Sequence, residues 1–303
     1  MSLIKSISGF RGTIGGKPND NLTPIDIVKF ASAYGSWLKN KAPGPKKVVV
    51  GRDGRMSGEM VEALVEQCLL ALGIDVIHLG LSTTPTVEMA VVFEKADGGI
   101  ILTASHNPKQ WNALKLLNEK GEFVSAEEGK TILDLAANED FNYAAVDEMG
   151  KIIANEDSLT KHIEAIVSYP LVDIQAIKAA NFSVVVDAIN SSGAFSVPAL
   201  LNAIGVSNIK VLNAEMTGNF AHNPEPLKEN LTDLCNTVVK EKAHLGIAVD
   251  PDVYRLCFVS EDGELFGEEY TLVAIADYIL QHKKGATVSN LSSTRALRDI
   301  TEK

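Results

Sequence analysis

The residues best suited to chemistry lie in one stretch, Gly98–Lys115, which reads GGIILTASHNPKQWNALK. An apolar run, Ile100–Leu102, leads straight into Thr103-Ala104-Ser105-His106-Asn107-Pro108. That order delivers a serine into a loop from the end of a buried strand, and Asn107-Pro108 bars an immediate helix. Ser105 is then a candidate nucleophile, and His106, Lys109 and Lys115 are near enough in sequence for proton or charge work. Near the N-terminus, Gly9-Phe10-Arg11-Gly12-Thr13 sets an arginine between glycines, which allows a tight bend that presents the guanidinium. Its planar fork of donors suits phosphate, because it can bind two oxygens at once. Far along the chain, Asp250-Pro251-Asp252-Val253-Tyr254-Arg255 places alternating carboxylates in a turn. Such oxygens are hard ligands for Mg²⁺, with a serine phosphate completing the shell. Asp-Pro-Asp is equally ordinary turn chemistry.

Strands and helices must position these groups, and their pattern is regular. Leu3–Ser8 alternates as a half-buried strand. Thr23-Pro24 starts a helix with Ile27, Val28, Ala31, Tyr34 and Leu38 at helical spacing. Strand Val48–Val50 runs into Gly51-Arg52-Asp53-Gly54-Arg55, followed by a helix from Ser57 to Leu72 that Gly73 stops. Strand Ile74–Leu79, a helix opened by Thr84-Pro85 and strand Gly98–Thr103 follow. Strands alternating with helices over short loops predict a parallel sheet with helical crossovers, and ligands gather where such strands end. Leu116–Phe123 predicts a hairpin, and Ser125 with Glu128 a capping box. From Ala137 to Asp157 the chain is acidic and aperiodic. Ser158–Ser168 is then a helix, and a second α/β unit is predicted from strands Phe182–Asp187, Asn208–Leu212 and Leu245–Val249, with a helix to Ile204 and another over Leu227–Lys242. Helix Tyr270–Leu280 and strand Ala286–Leu291 close the chain.

Composition narrows the classes. The 303 residues hold about two domains and part of a third. A hydrophobic content of 46% supports real cores, and a formal charge of −11 argues against nucleic acid, which needs clustered cations. It leaves room for an anionic substrate held by a few focused cations. Cys68, Cys235 and Cys257 are odd in number and widely spaced, so they read as reduced thiols of a cytoplasmic protein. No apolar run is long enough for a membrane span.

The string TASHNP, followed by Asn112 and Lys115, resembles the phosphoserine loop of the α-D-phosphohexomutases, the family of phosphoglucomutase, phosphomannomutase and phosphoglucosamine mutase. Gly9–Gly12 is similar to the family's N-terminal arginine signature. Arg52-Asp53-Gly54-Arg55 and Leu81–Thr86 are similar to two stretches that support the serine loop. Asp250–Arg255 is similar to the metal loop, in which three aspartates bind Mg²⁺; here the third position is Tyr254. Either Tyr254 stands clear of the metal and water fills its place, or the site is lost.

The resemblance implies consecutive α/β domains with mixed, largely parallel sheets and helical crossovers. Residues 1–155 would form the phosphoserine-loop domain, 156–262 the metal-loop domain, and 263–303 the first elements of a truncated sugar-binding domain. It implies transfer of a phosphoryl group between Ser105 and a hexose 1- or 6-phosphate through a hexose bisphosphate, with phosphoglucosamine mutase the favoured member. Ser105, His106, Lys115, Arg11 and Arg255 would be the catalytic set, and Ser105, Asp250 and Asp252 the Mg²⁺ ligands, weakened by Tyr254. Lys115 or Arg255 would be the general acid/base. The alternative is a non-catalytic, phosphosugar-binding remnant of the family. The oligomeric state is left open.

Overall fold

The apolar runs become two sheets, seen in a computed structural model that describes residues 2–6, 9–289 and 294–302. The first sheet holds β1 (Ile4–Ser6), β2 (Gly9–Thr13), β3 (Lys46–Arg52), β4 (Ile74–Leu81), β5 (Gly98–Leu102), β6 (Trp111–Leu117) and β7 (Ile152–Ala154), in the order β1-β2-β6-β5-β3-β4-β7. Strands β5, β3, β4 and β7 run parallel, while β1, β2 and β6 are joined to the sheet antiparallel. Helices α1 (Pro24–Lys41), α2 (Gly58–Ala71), α3 (Thr84–Phe93) and α4 (Ala126–Asn138) accompany it. The second sheet holds β8 (Ser183–Asp187), β9 (Asn208–Leu212), β10 (Leu245–Val249) and β11 (Leu256–Ser260), in the order β11-β10-β8-β9, with only β11 antiparallel. Around and after it come α5 (Ser158–Val167), α6 (Ile174–Ala180), α7 (Gly193–Ala203), α8 (Thr232–Glu241), α9 (Glu268–His282) and α10 (Ala296–Thr301).

The period-two geometry of a strand explains why the central strands are continuously apolar. Val48 and Val50 of β3 pack with α1 and α2 residues such as Phe30, Tyr34, Val61 and Val65. Val49 between them packs on the other face with Val87 and Val91 of α3. The same division recurs in the second sheet, where Val185 meets Leu234 and Val238 of α8, while Val184 and Val186 meet Val197 and Leu201 of α7. Each such side chain contributes about 1.5–3 kcal/mol by leaving water. The helix starts follow the expected capping chemistry. The Asp26 carboxylate accepts the Thr23 backbone N–H at 3.1 Å, and Ser125 and Glu128 exchange bonds at 2.8 and 3.3 Å.

Several elements differ from expectation. Arg11 lies within a strand, β2, and its neighbouring glycines serve close approach instead of a tight bend. Gly9 has φ +152°, and a Cβ there would sit 2.2 Å from the Leu114 carbonyl oxygen of β6. Residues 111–117 form a full strand, β6, between β2 and β5; the expected turn follows it, closed by the Asn118 N–H on the Glu122 carbonyl at 2.8 Å. The acidic stretch Ala137–Asp157 contains β7, an exposed edge strand. Helix α6 and strand β11 are further additions. The helix expected over Leu227–Lys242 is shorter, Thr232–Glu241, and the start of the expected range is a single 3₁₀ turn, Lys228–Asn230. Of the predicted first strand, residues 7 and 8 lie outside the described residues, as does Leu291 of the predicted last one; residues 286–289 are not in a strand.

Candidate active site

Strand β5 ends at Leu102, and the next three residues turn the chain so that Ser105 faces an open cavity. Ser105 has φ +51°, a left-handed conformation that costs a non-glycine residue roughly 1–3 kcal/mol and persists only when its surroundings enforce it. Here the enforcement is explicit. The Ser105 N–H donates to Thr103 Oγ1 at 2.8 Å, and the Thr103 hydroxyl donates to Asp53 Oδ2 at 2.6 Å. Arg55, buried, divides its guanidinium nitrogens between Asp53 and the carbonyls of the serine loop and the start of β6. Nε donates to Asp53 Oδ2 at 3.0 Å, Nη1 to the carbonyls of Pro108 and Trp111 at 2.9 Å each, and Nη2 to the carbonyls of Ser105 and Asn107. Asp53 is raised by burial and drawn back by Arg55.

The second sheet brings the carboxylates. The turn after β10 places Asp250 and Asp252, both buried, against the serine loop. The Ser105 hydroxyl donates to Asp250 Oδ2 at 2.6 Å, across 145 positions of sequence. Asp250 Oδ1 accepts the backbone N–H groups of Tyr254 and Arg255 at 2.9 and 2.8 Å. Asp252 Oδ2 accepts the Thr84 hydroxyl at 2.6 Å and the Lys115 ammonium at 2.8 Å, while its buried Oδ1 has no hydrogen-bond donor among the described residues apart from the neighbouring Asp250 carboxyl. Burial, followed by repulsion from Asp252, pushes the Asp250 carboxyl up. Burial opposes ionisation of Asp252 as well, but Lys115 and the bonds to it hold that carboxyl down. A buried carboxylate oxygen beside a second carboxylate and a hydroxyl is the donor set of a hard divalent cation, so Asp250, Asp252 and Ser105 fit Mg²⁺.

Further hydrogen bonds tie this turn to the residues around the first sheet. The Thr84 N–H donates to the Asp252 carbonyl at 2.9 Å. Ser191, fully buried, accepts the Gly54 N–H at 2.9 Å and donates to the Pro251 carbonyl at 2.6 Å.

All five residues expected to act catalytically meet at one cavity of about 560 Å³: Arg11 from β2, Ser105 and His106 from the serine loop, Lys115 from β6, and Arg255 from the carboxylate turn. Arg11 is exposed and makes no ion pair with any described residue, so its fork is free to meet an anion. Arg255 is held by Glu225, Nη1 to Oε1 at 2.8 Å. His106 Nδ1 stands 3.5 Å from Ser105 Oγ, and burial, with Arg255 and Arg11 nearby, lowers its pKa and favours the neutral ring. Lys109 belongs elsewhere: it is exposed and donates to Asn219 at 2.8 Å. The Tyr254 ring, 53% exposed, stands edge-on to Phe123 at 6.2 Å with the Lys115 ammonium 5.4 Å from its centre. Its backbone N–H, not its phenol, is what meets Asp250.

Three participants had no sequence signal of their own. Glu88 on α3 is pushed up to about 7 by burial, with Lys115 opposing and Asp252 adding to the rise. Ser191 sits in a plain polar turn, and Glu225 in an irregular segment. Only the fold brings them to the site.

Comparison with known proteins follows the same division. The family model described as phosphoglucomutase/phosphomannomutase, alpha/beta/alpha domain I, matches residues 3–143, and the model of alpha/beta/alpha domain II matches residues 160–263. A phosphoglucomutase/phosphomannomutase of Thermococcus kodakarensis is 37% identical over 296 residues, covering 96% of this chain and 64% of its own length. A phosphoglucosamine/phosphogalactosamine mutase of Sulfurisphaera tokodaii is 33% identical over 267 residues, 88% of this chain and 56% of its own. The chain thus spans less than two thirds of the length of these curated relatives. A solved phosphoglucomutase/phosphomannomutase family protein of Burkholderia thailandensis shares the fold with TM-score 0.78 over 98% of this chain and 65% of its own, at 24% identity. With both α/β/α domains matched in order and across most of its residues, the chain belongs to the phosphoglucomutase/phosphomannomutase family, the α-D-phosphohexomutases.

Proposed function

We propose that this chain carries the phosphoryl-transfer half of a phosphohexomutase, with Ser105 as the residue that holds and exchanges the phosphoryl group. The observation that carries the reading is the 2.6 Å approach of Ser105 Oγ to Asp250 beside the buried Oδ1 of Asp252, in a cavity that also receives Arg11, Lys115 and Arg255. In the proposed reaction the bond between phosphorus and Ser105 Oγ breaks as a new one forms to a free hydroxyl of a hexose 1- or 6-phosphate. The hydroxyl proton passes to a base, and Ser105 leaves as the alkoxide that is reprotonated. The resulting hexose bisphosphate turns over and returns its other phosphoryl group to Ser105.

Such transfers need in-line positioning and neutralisation of the moving charge. Asp250, Asp252 and the Ser105 oxygen would hold Mg²⁺, which when bound would supply part of that neutralisation. Arg11 binds the incoming phosphate with its free fork, and Arg255 supplies a second cation at the same cavity. Lys115, fixed by Asp252, is the proposed proton carrier at the sugar hydroxyl, with Arg255 the alternative. His106 orders the serine loop. Glucosamine phosphate is the favoured sugar, the chain divides into units 1–155, 156–262 and 263–303, and a cytoplasmic location completes the proposal.

The test is a half-reaction. Protein carrying phosphate on Ser105, mixed with hexose monophosphate, should release hexose bisphosphate in an amount equal to the phosphoprotein, and Ser105→Ala should release none. Equal release by Ser105→Ala would end the proposal.

A further inference from the structure

A second polar cluster lies on the far side of Arg52 from the serine loop. Glu62 and Glu66 are one helical turn apart on α2, so they share a face, and that face packs against β4, which carries His78. His78 Nδ1 is 2.6 Å from Glu66 Oε1 and 3.8 Å from Glu62 Oε1, and the three ligand atoms all lie within 4.8 Å of one another. Ligands about 2.0 Å from a tetrahedral ion stand about 3.3 Å apart, so the two measured separations bracket that spacing.

A pair of glutamates beside a histidine is often only a hydrogen-bonded cluster. Here a separate observation points to a ligand. Glu62 is 6% exposed; its Oε2 accepts Arg52 Nε at 2.8 Å, but its Oε1 is buried, has no hydrogen-bond partner among the described residues, and is directed at the cluster. A buried carboxylate oxygen left unpaired is costly, and a cation at that point would satisfy it. The charges agree: two carboxylates and the Arg52 guanidinium leave one negative charge, which a divalent ion more than balances. The His78 side chain is 36% exposed, which gives an ion a way in and leaves room for a water ligand.

We propose that Glu62, Glu66 and His78 form a binding site for one borderline divalent cation of the zinc type. Imidazole with carboxylates favours Zn²⁺ over Mg²⁺, which prefers an all-oxygen octahedron. The ion clamps α2 to β4. Through Arg52, whose Nη1 also donates to the Asp53 carbonyl at 3.3 Å, the clamp reaches the Asp53–Arg55 support of the serine loop. The site is separate from Asp250 and Asp252.

The full chain, stripped with chelator and titrated with ZnCl₂ in excess MgCl₂ against a chromogenic zinc chelator, should bind one Zn²⁺ that Mg²⁺ does not displace. His78→Gln and Glu66→Gln should each weaken binding at least tenfold, and Asp252→Asn should leave it unchanged. Unchanged affinity in His78→Gln, loss in Asp252→Asn, or no Zn²⁺ bound by the folded wild-type chain would overturn the proposal. Should the variants fold poorly, Co²⁺ loaded into the wild-type chain decides. Visible d–d absorption without a thiolate charge-transfer band supports the site, and a thiolate band would assign the ion to a cysteine instead.

Discussion

Arg55 and Ser105 are joined across the serine loop: the buried guanidinium donates to the Ser105 carbonyl, and with its other donors to Asn107, Pro108, Trp111 and Asp53. One side chain therefore holds four carbonyls of the segment that carries the candidate nucleophile, although it is far from Ser105 in sequence. A lysine ammonium has only three donors and no planar fork, so it cannot replace this set.

Arg55→Lys should accordingly lose about 3 kcal/mol of folding stability, because it leaves buried carbonyls and Asp53 without partners. Urea unfolding measures the loss. A variant within about 0.5 kcal/mol of wild type would show that the loop holds its shape without the guanidinium.

Ser191→Ala should loosen the carboxylate turn from the first sheet. It strips partners from the Gly54 N–H and the Pro251 carbonyl, at a cost of about 1–3 kcal/mol. The same substitution should raise amide exchange at Gly54. Exchange there at the wild-type rate would mean that Ser191 is not what protects it.

Glu88 predicts a pH dependence with a definite sign. Its carboxyl is raised from 4.5 to about 7 in the folded chain, chiefly by burial, so the native state holds a proton that the unfolded chain has released. Its stabilising contribution is fully present below pH 4.5 and is lost as pH rises through about 7. Glu88→Gln should therefore gain stability relative to wild type on going from pH 5 to pH 8. A constant difference between the two proteins at both pH values would refute the assignment.

Tyr254→Asp should tighten Mg²⁺. One added carboxylate charge at about 4 Å and an effective dielectric near 20 is worth roughly 4 kcal/mol before desolvation is subtracted, so a gain of about one to three powers of ten is expected. Calorimetric titration of both proteins, equally phosphorylated on Ser105, makes the comparison. Equal affinities would place position 254 away from the ion.

Much of this was legible in the residues. Ile100–Leu102 running into Thr103–Pro108 announced a strand ending in a serine loop, and the Thr23 and Ser125 caps set two helix starts, because these signals are local. What was hidden is what depends on distant chain. Gly9 and Gly12 suggested a bend, yet they permit β2 to lie close against neighbouring backbone. Strand β7 is three exposed residues in an acidic stretch, with no alternation long enough to read. Ser191 meets Gly54 across 137 positions, and Glu88 is an ordinary helical glutamate until α3 is packed beside Lys115 and Asp252.

Tandem mass spectrometry shows whether Ser105 accepts the phosphoryl group. The chain is incubated with a hexose 1,6-bisphosphate and Mg²⁺, digested, and its phosphorylated residue located by fragmentation. A single phosphoryl group on Ser105, absent from Ser105→Ala, is the predicted result. Phosphate on another residue, with Ser105 bare, would contradict it.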